Sequence, residues 1–446
     1  MDDAPPTAPP TAPPTAQALA LPAAWSALGG DPAELPRLAV TGPPEVLASR
    51  LAVTAAGAAA VGASLLAATA GRGLPVALDT RRLAVALRSE RYLRRDGAPP
   101  GDPFDPLSAF HRTADGWLRL HANYPWHRAA ALDVLGCAEP DAPAAIAERG
   151  AVELEDALHA AGGVGAAVRT PAEWAAAAGP PPPLVEWHAL GPAPTRPVRR
   201  PRVLDLTRVI AGPVATRTLA AHGADVLRLD RPDRPEMPVQ AWDTLPGKRS
   251  ALLDLRTARA VLEELLAGAD VVVCGYRPGA LDRLGLAPRA LAERHPGLVV
   301  VTLSAWGTRG PWGARRGFDS LVQAACGIAA TEGTPAAPGA LPAQVLDHAT
   351  GYLTAAAAWL ALRRQRAEGG THHAALALAA TARWLQDLPG GSGAEVDPVD
   401  PAPHLVDVVA PDGRLTLAAP PGRVDGAPLA WPDPPPSFGT AEPGWA

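Results

Sequence analysis

The sequence predicts an α/β protein with a doubly wound, mostly parallel sheet in its second half and a smaller α+β unit in front of it. Two observations carry this expectation. Between residues 202 and 385, short apolar runs alternate with helix-length stretches, the rhythm of strand–crossover–strand units whose strands lie parallel. Proline clusters separate the blocks: a repeated A-P-P-T at the front, the run 180–183 followed by Pro192 to Pro197, and a Gly/Pro-rich stretch over 389–403. The boundaries are therefore 1–22 for a disordered Pro-rich tail, 45–195 for a small-domain-like segment with a degenerate partial repeat, and 196–201 for a linker. The large domain covers 202–385, and a Gly/Pro-rich loop with a C-terminal tail fills 386–446.

Taken in order, the tail lacks a basic n-region and an apolar h-region, so it reads as polyproline-like chain rather than a signal peptide. Residues 51–70 run uncharged for about the length a bilayer requires. They are mostly Ala, Gly, Ser and Thr, which gain little from lipid, so a buried helix is expected. A strand over 75–78, a helix over 81–91, a hairpin-like run over 113–121 and helices over 126–135, 144–148 and 153–161 complete the front. In the second block the strands are 203–206, 226–229, 251–255, 271–274 and 298–303, with helices over 213–222 and 257–267. Residues 50–73 align without a gap on 347–370, at an offset of 297, as a diverged internal repeat.

Composition excludes several functions. With 40 Lys+Arg against 45 Asp+Glu, the net charge of -5 leaves no basic stripe to neutralise phosphates, so nucleic acid is set aside. Three cysteines, Cys137, Cys274 and Cys326, stand too far apart for a thiolate metal site or a disulfide framework, which fits a cytoplasmic location. His372 and His373 are adjacent and have no carboxylate or Cys at ligand spacing, so no metal is assigned. His111, His121 and His127, around Trp117, Tyr124 and Trp126, read as an amphipathic surface.

The chemistry concentrates where strands end. Strand 203–206 leads through Thr207-Arg-Val-Ile-Ala-Gly212 into a helix with Pro213 in its first turn. Free N–H groups beside Arg208 then make an anion site for a nucleotide-like ligand. Arg231 and Arg283 follow the carboxyl ends of later strands, and Lys248 stands just before one, so three elements converge on one polyanion. Asp347 directly precedes a helix of small apolar residues, as an N-cap or as a carboxylate nucleophile kept ionised by the helix dipole. Asp319 reads as a second cap, and His348 points away from Asp347 on a helix.

Six ordered stretches over about 200–375 resemble the class III CoA-transferases, the CaiB/BaiF family. They are Arg202-Val-Leu-Asp-Leu-Thr-Arg-Val-Ile-Ala-Gly-Pro213, Leu219-Ala-Ala-His-Gly-Ala-Asp-Val-Leu-Arg-Leu-Asp230, Gly247-Lys-Arg-Ser250, Arg277-Pro-Gly-Ala-Leu-Asp-Arg-Leu-Gly285, Arg316-Gly-Phe-Asp-Ser-Leu-Val-Gln-Ala324 and Asp347-His-Ala-Thr-Gly351. The resemblance implies a Rossmann-like large domain with a small α/β domain, usually in two interlocked chains, hence a homodimer. It implies that coenzyme A, as acyl-CoA substrate rather than resident cofactor, contacts Arg208, Val209, Ala211, Arg231, Lys248 and Arg283. It further implies that Asp347 attacks the thioester, passing through a mixed anhydride and an aspartyl-CoA thioester before CoA reaches a carboxylic acid acceptor.

The chain departs from that pattern. The small-domain-like segment stands in front of the large domain instead of after it, Arg50 occupies the nucleophile position of the front repeat, and the family's Gly-rich covering loop is not recognisable. A catalytically silent CoA-binding or partner subunit is the alternative reading. An α-methylacyl-CoA racemase ranks lower, because Phe318 holds the place where that branch carries a His.

Overall fold

The computed structural model describes residues 15–101, 104–197 and 200–445. Its largest sheet has seven strands, in the spatial order Lys248–Leu252, Asp225–Asp230, Arg202–Leu206, Val271–Cys274, Val299–Ser304, Thr371–Ala377 and Glu186–Gly191. The first six are parallel and Glu186–Gly191 runs antiparallel at the edge. Numbered along the chain, the parallel strands lie 3-2-1-4-5-6, the order of a Rossmann-like doubly wound sheet.

Side-chain alternation along these strands builds two separate cores. Val203, Val226, Val271, Val273, Val299 and Val301 face helices Ala211–Ala221 and Val345–Glu368. Leu204, Leu227, Val272 and Val300 face helices Arg259–Gly268 and Pro288–Arg294.

The front segment adds to the first of these cores. Helix Val53–Ala68, buried along nearly its whole length, packs against Val345–Glu368. Its small side chains allow the close approach, and among the described residues no helix is long and apolar enough to cross a membrane. A helix, strand and helix follow one another at Val53–Ala68, Val76–Asp79 and Thr80–Ala86, and again at Val345–Glu368, Thr371–Ala377 and Leu378–Asp387.

Four expectations need correction. The proposed disordered tail, 1–22, ends inside a helix, Ala16–Ala27, with the Thr15 hydroxyl capping Ala18 N–H; residues 1–14 lie outside the described residues. Ala20, Ala24, Trp25 and Leu28 give that helix a buried face while Pro22 stays on the exposed side. Second, the segment 45–195 is not one unit. Residues 105–169 have their own core around Leu118, Leu120, Ile146, Leu154 and Leu158, whereas Glu186–Gly191 joins the large sheet.

Third, the tail 386–446 contains a hairpin, Leu405–Ala410 with Gly413–Ala418, closed by the two-residue turn Pro411-Asp412. Arg423–Val424 then pairs with Val76–Asp79, and the Trp445 indole donates to Leu265 O at 2.9 Å. Fourth, the strand expected at 251–255 lies at Lys248–Leu252, which puts Lys248 inside the sheet.

Candidate active site

The direction of strand succession reverses between Arg202–Leu206 and Val271–Cys274, and a crevice of about 600 Å³ opens at their carboxyl ends. Arg202–Leu206 feeds its first wall through a tight turn. Gly212 makes this turn feasible, since a Cβ there would lie 2.3 Å from Thr207 Cβ. Val209 takes φ +70°, a strained value for a β-branched residue, and its N–H donates to Glu236 Oε2 at 2.9 Å. Glu236 is fully buried and also accepts from the Tyr124 hydroxyl at 2.6 Å and from Arg228 Nη2 at 3.0 Å. One carboxylate thereby ties the small unit to the first turn.

The structure places Arg208, Val209, Ala211, Arg231, Arg283 and Asp347 on this one crevice. Arg208 donates to the carbonyls of Arg234 and Pro235 and stacks over Tyr124. Arg231 is forked onto Asp233 and stays partly exposed. Lys248 is the exception. Its ammonium is buried beneath the first turn, bonded to Asp205 Oδ2 at 3.1 Å, Thr216 Oγ1 at 2.6 Å and Pro213 O at 3.0 Å. Burial pushes it down to about 8 against the pull of Asp205. It braces the turn from inside and is not a wall of the crevice.

Eight arginines and three aspartates line the cavity. Among the described residues, Arg234, Arg277, Arg283 and Arg316 form no ion pair with a carboxylate. Four uncompensated guanidinium groups around one cavity make a polyanion site.

The opposite wall comes from the small unit, at the start of helix Pro125–Leu135, and sequence reasoning treated it as mere surface. Tyr124 and Trp126 stack at 4.8 Å, with Arg234 4.3 Å over Trp126, so aromatic and guanidinium planes alternate. His127 also faces the cavity; burial, then Arg316, Arg234 and Arg208, pushes it down to about 4, so the imidazole is neutral at pH 7. His121 is covered by Phe318 at a ring distance of 3.7 Å and pushed down to about 3 by burial first. The signal available for these residues was the Tyr-Pro-Trp-His string, aromatic side chains at a helix start with Pro at N1.

Asp347 is the third residue of helix Val345–Glu368 and caps nothing. No described group hydrogen-bonds to its carboxyl oxygens, while its N–H donates to Asp319 Oδ2 at 3.0 Å. Asp319, which also accepts from the Gln323 amide, therefore caps the long helix from a separate element and orients Asp347. Burial pushes the Asp347 carboxyl well above its ordinary range, and the neighbouring Asp319 and Glu90 add to this. Asp319 rises to about 6, again chiefly through burial. The helix dipole that sequence reasoning invoked acts against this upward push from burial and from the two neighbouring carboxyls.

Gly351 sets the height of Asp347 over the first turn. It lies one helical turn further along the same face, and a Cβ there would lie 2.6 Å from Ala211 O and 2.9 Å from Val214 Cβ. Only glycine lets the two helices meet at this point.

The crevice thus joins strand ends, a ring of arginines and a carboxyl without a hydrogen bond at a helix start. Residues 200–393 match the model of CoA-transferase family III. A probable fatty acyl-CoA transferase of Mycobacterium tuberculosis is 36% identical over 192 residues, covering 40% of this chain and 49% of that protein. The beta subunit of succinyl-CoA–L-malate CoA-transferase of Chloroflexus aurantiacus is 33% identical over 197 residues, with 40% and 48% covered. A crystal structure of a CaiB/BaiF family protein from Brucella suis aligns over 49% of this chain and 65% of that one, at 26% identity and a TM-score of 0.38. The chain spans about half the length of the curated relatives it matches.

Proposed function

We propose that this chain is a CoA-transferase that moves CoA between an acyl-CoA thioester and a carboxylic acid. The observation that carries the reading is Asp347, a carboxyl without a hydrogen bond on a cavity whose remaining charge is an excess of arginine. The diphosphate and 3′-phosphate of CoA meet Arg283, Arg231 and the first turn at Arg208, Val209 and Ala211, with Arg277 and Arg234 added by the geometry. Ionised Asp347 attacks the thioester carbonyl and expels CoA thiolate, leaving a mixed anhydride. The thiolate then attacks the aspartyl carbonyl, which releases the donor acid and leaves an aspartyl-CoA thioester. An acceptor carboxylate attacks that thioester, the thiolate leaves, and its return to the new anhydride's acyl carbon restores the Asp347 carboxylate. Every step exchanges one activated acyl bond for another, so no energy source is consumed.

Intact-protein mass spectrometry after mixing with a panel of acyl-CoAs tests this. A covalent adduct localised to Asp347 is expected, and absence of adduct and of transfer across the panel would leave the silent binding subunit. For binding, Arg277→Ala and Arg283→Ala each remove a charge-assisted contact worth roughly 1.5–3 kcal/mol, or about 10- to 150-fold in Kd. Calorimetry showing CoA affinity unchanged in both variants would move the ligand out of this crevice.

A further inference from the structure

Behind Asp347 lies a buried acid–imidazole pair that the transfer chemistry leaves unused. His348, the next residue of the long helix, is fully buried, and neither ring nitrogen hydrogen-bonds to a described residue. Its Nε2 stands 3.6 Å from Glu90 Oε2, an oxygen that is itself without a hydrogen bond. Glu90 belongs to Ser89–Tyr92 in the front segment, and its side chain is 8% exposed. Isolated buried polar atoms of opposite character, aimed at each other beside two carboxyls, form an arrangement that is costly unless the pair shares a charge.

We propose that Glu90 is a positioning residue for Asp347: paired with His348 across the junction of the front segment and the large domain, it sets the charge beside the Asp319–Asp347 pair and so the pH at which the nucleophile becomes available. This rests on the reading of Asp347 as nucleophile. The charged neighbours of the cluster are Asp319 on Asp319–Ala325, Arg91 beside Glu90, and Arg217, whose guanidinium is held by Asp243 at 3.0 Å with Ser89 bridging to Asp243 at 2.8 Å. Consistent with the geometry, Glu90 contributes to the upward push on Asp347, while His348 eases Asp319 downward and holds Glu90 below its ordinary range despite burial.

The proposal is testable without any transferase assay. Coupling of carboxyls to an amine by a water-soluble carbodiimide, quantified by mass spectrometry across pH for the Asp347 peptide relative to a peptide with an exposed carboxylate, follows the ionisation of Asp347. Glu90→Gln removes a like charge and is expected to move the midpoint to lower pH by about half a unit or more. His348→Gln removes the partner of Glu90 and is expected to move the midpoint as well. Midpoints that stay in place in the folded variants would overturn the proposal, and should Glu90→Gln fail to fold, His348→Gln decides alone. An adduct with acyl-CoA but unmoved midpoints removes only the positioning role. Shifted midpoints with no adduct remove only the transferase reading.

Discussion

At the scale of single residues, Asp347 shows how a buried carboxyl without a hydrogen bond is held at the expense of the fold. Its native pKa stands above the unfolded value, so the native state binds the extra proton between about pH 4 and its own raised pKa. Stability contributed by this group is therefore complete below the unfolded pKa and declines as pH rises through the native one. Asp347→Asn should then leave the melting temperature at pH 7 equal to or above wild type while abolishing the adduct, because an amide cannot form the anhydride. No cap is lost, since Asp319 supplies it. A clear loss of stability in Asp347→Asn, measured by calorimetry, would contradict this account. The rate carries the complementary signature: attack needs the ionised carboxyl, so kcat/KM should rise with pH along a limb above the usual carboxylate range. Because Asp319 accepts the Asp347 N–H and its charge raises the Asp347 carboxyl, that limb is expected to belong to the pair.

Elements were legible in the sequence to the degree that one local pattern decided them. Val271–Cys274 was read with its observed bounds because four buried apolar residues in a row admit no other place than a central parallel strand. Lys248 was misplaced because Gly-Lys-Arg-Ser looks like polar loop, and only a partner 43 positions away, Asp205, makes its burial tolerable. The capping of the long helix by Asp319, across 28 residues, leaves no local trace either. Gly351 is the case where the element itself carries a prediction. Gly351→Ala gains about 1 kcal/mol of helix propensity in principle, but its Cβ would sit 2.6 Å from a backbone carbonyl, which cannot yield as a side chain tip could. Overpacking of this kind costs about 1–3 kcal/mol and lifts Asp347 off the first turn. The variant should be less stable and slower in adduct formation, and a stability gain measured by denaturant titration would show that the helices separate freely.

For the whole molecule, the decisive fact is that one apolar core ignores the boundary drawn at 196–201. Leu66 of the front helix, Leu353 and Ala357 of the long helix, and Val299 and Val301 of the large sheet belong to the same buried cluster, and the long helix packs against both the front helix and Val299–Ser304. The crevice repeats this relation, with Trp126 and His127 facing Arg208 and Asp347 across it. Rearranged order along the chain therefore does not separate the parts in space. Cooperative behaviour should follow the core instead of the sequence. Leu66→Ala, a cavity-forming change costing about 2–5 kcal/mol, should weaken hydrogen-exchange protection of Val299–Ser304 as much as that of Val76–Asp79. Trp117–Leu120 packs in the separate core around Ile146 and Leu154, so its amides should lose less. If the loss of protection stayed within the first hundred residues, the front segment would be an independent appendage. The positioning role of Glu90, which depends on that segment being locked against the long helix, would lose its structural basis as well.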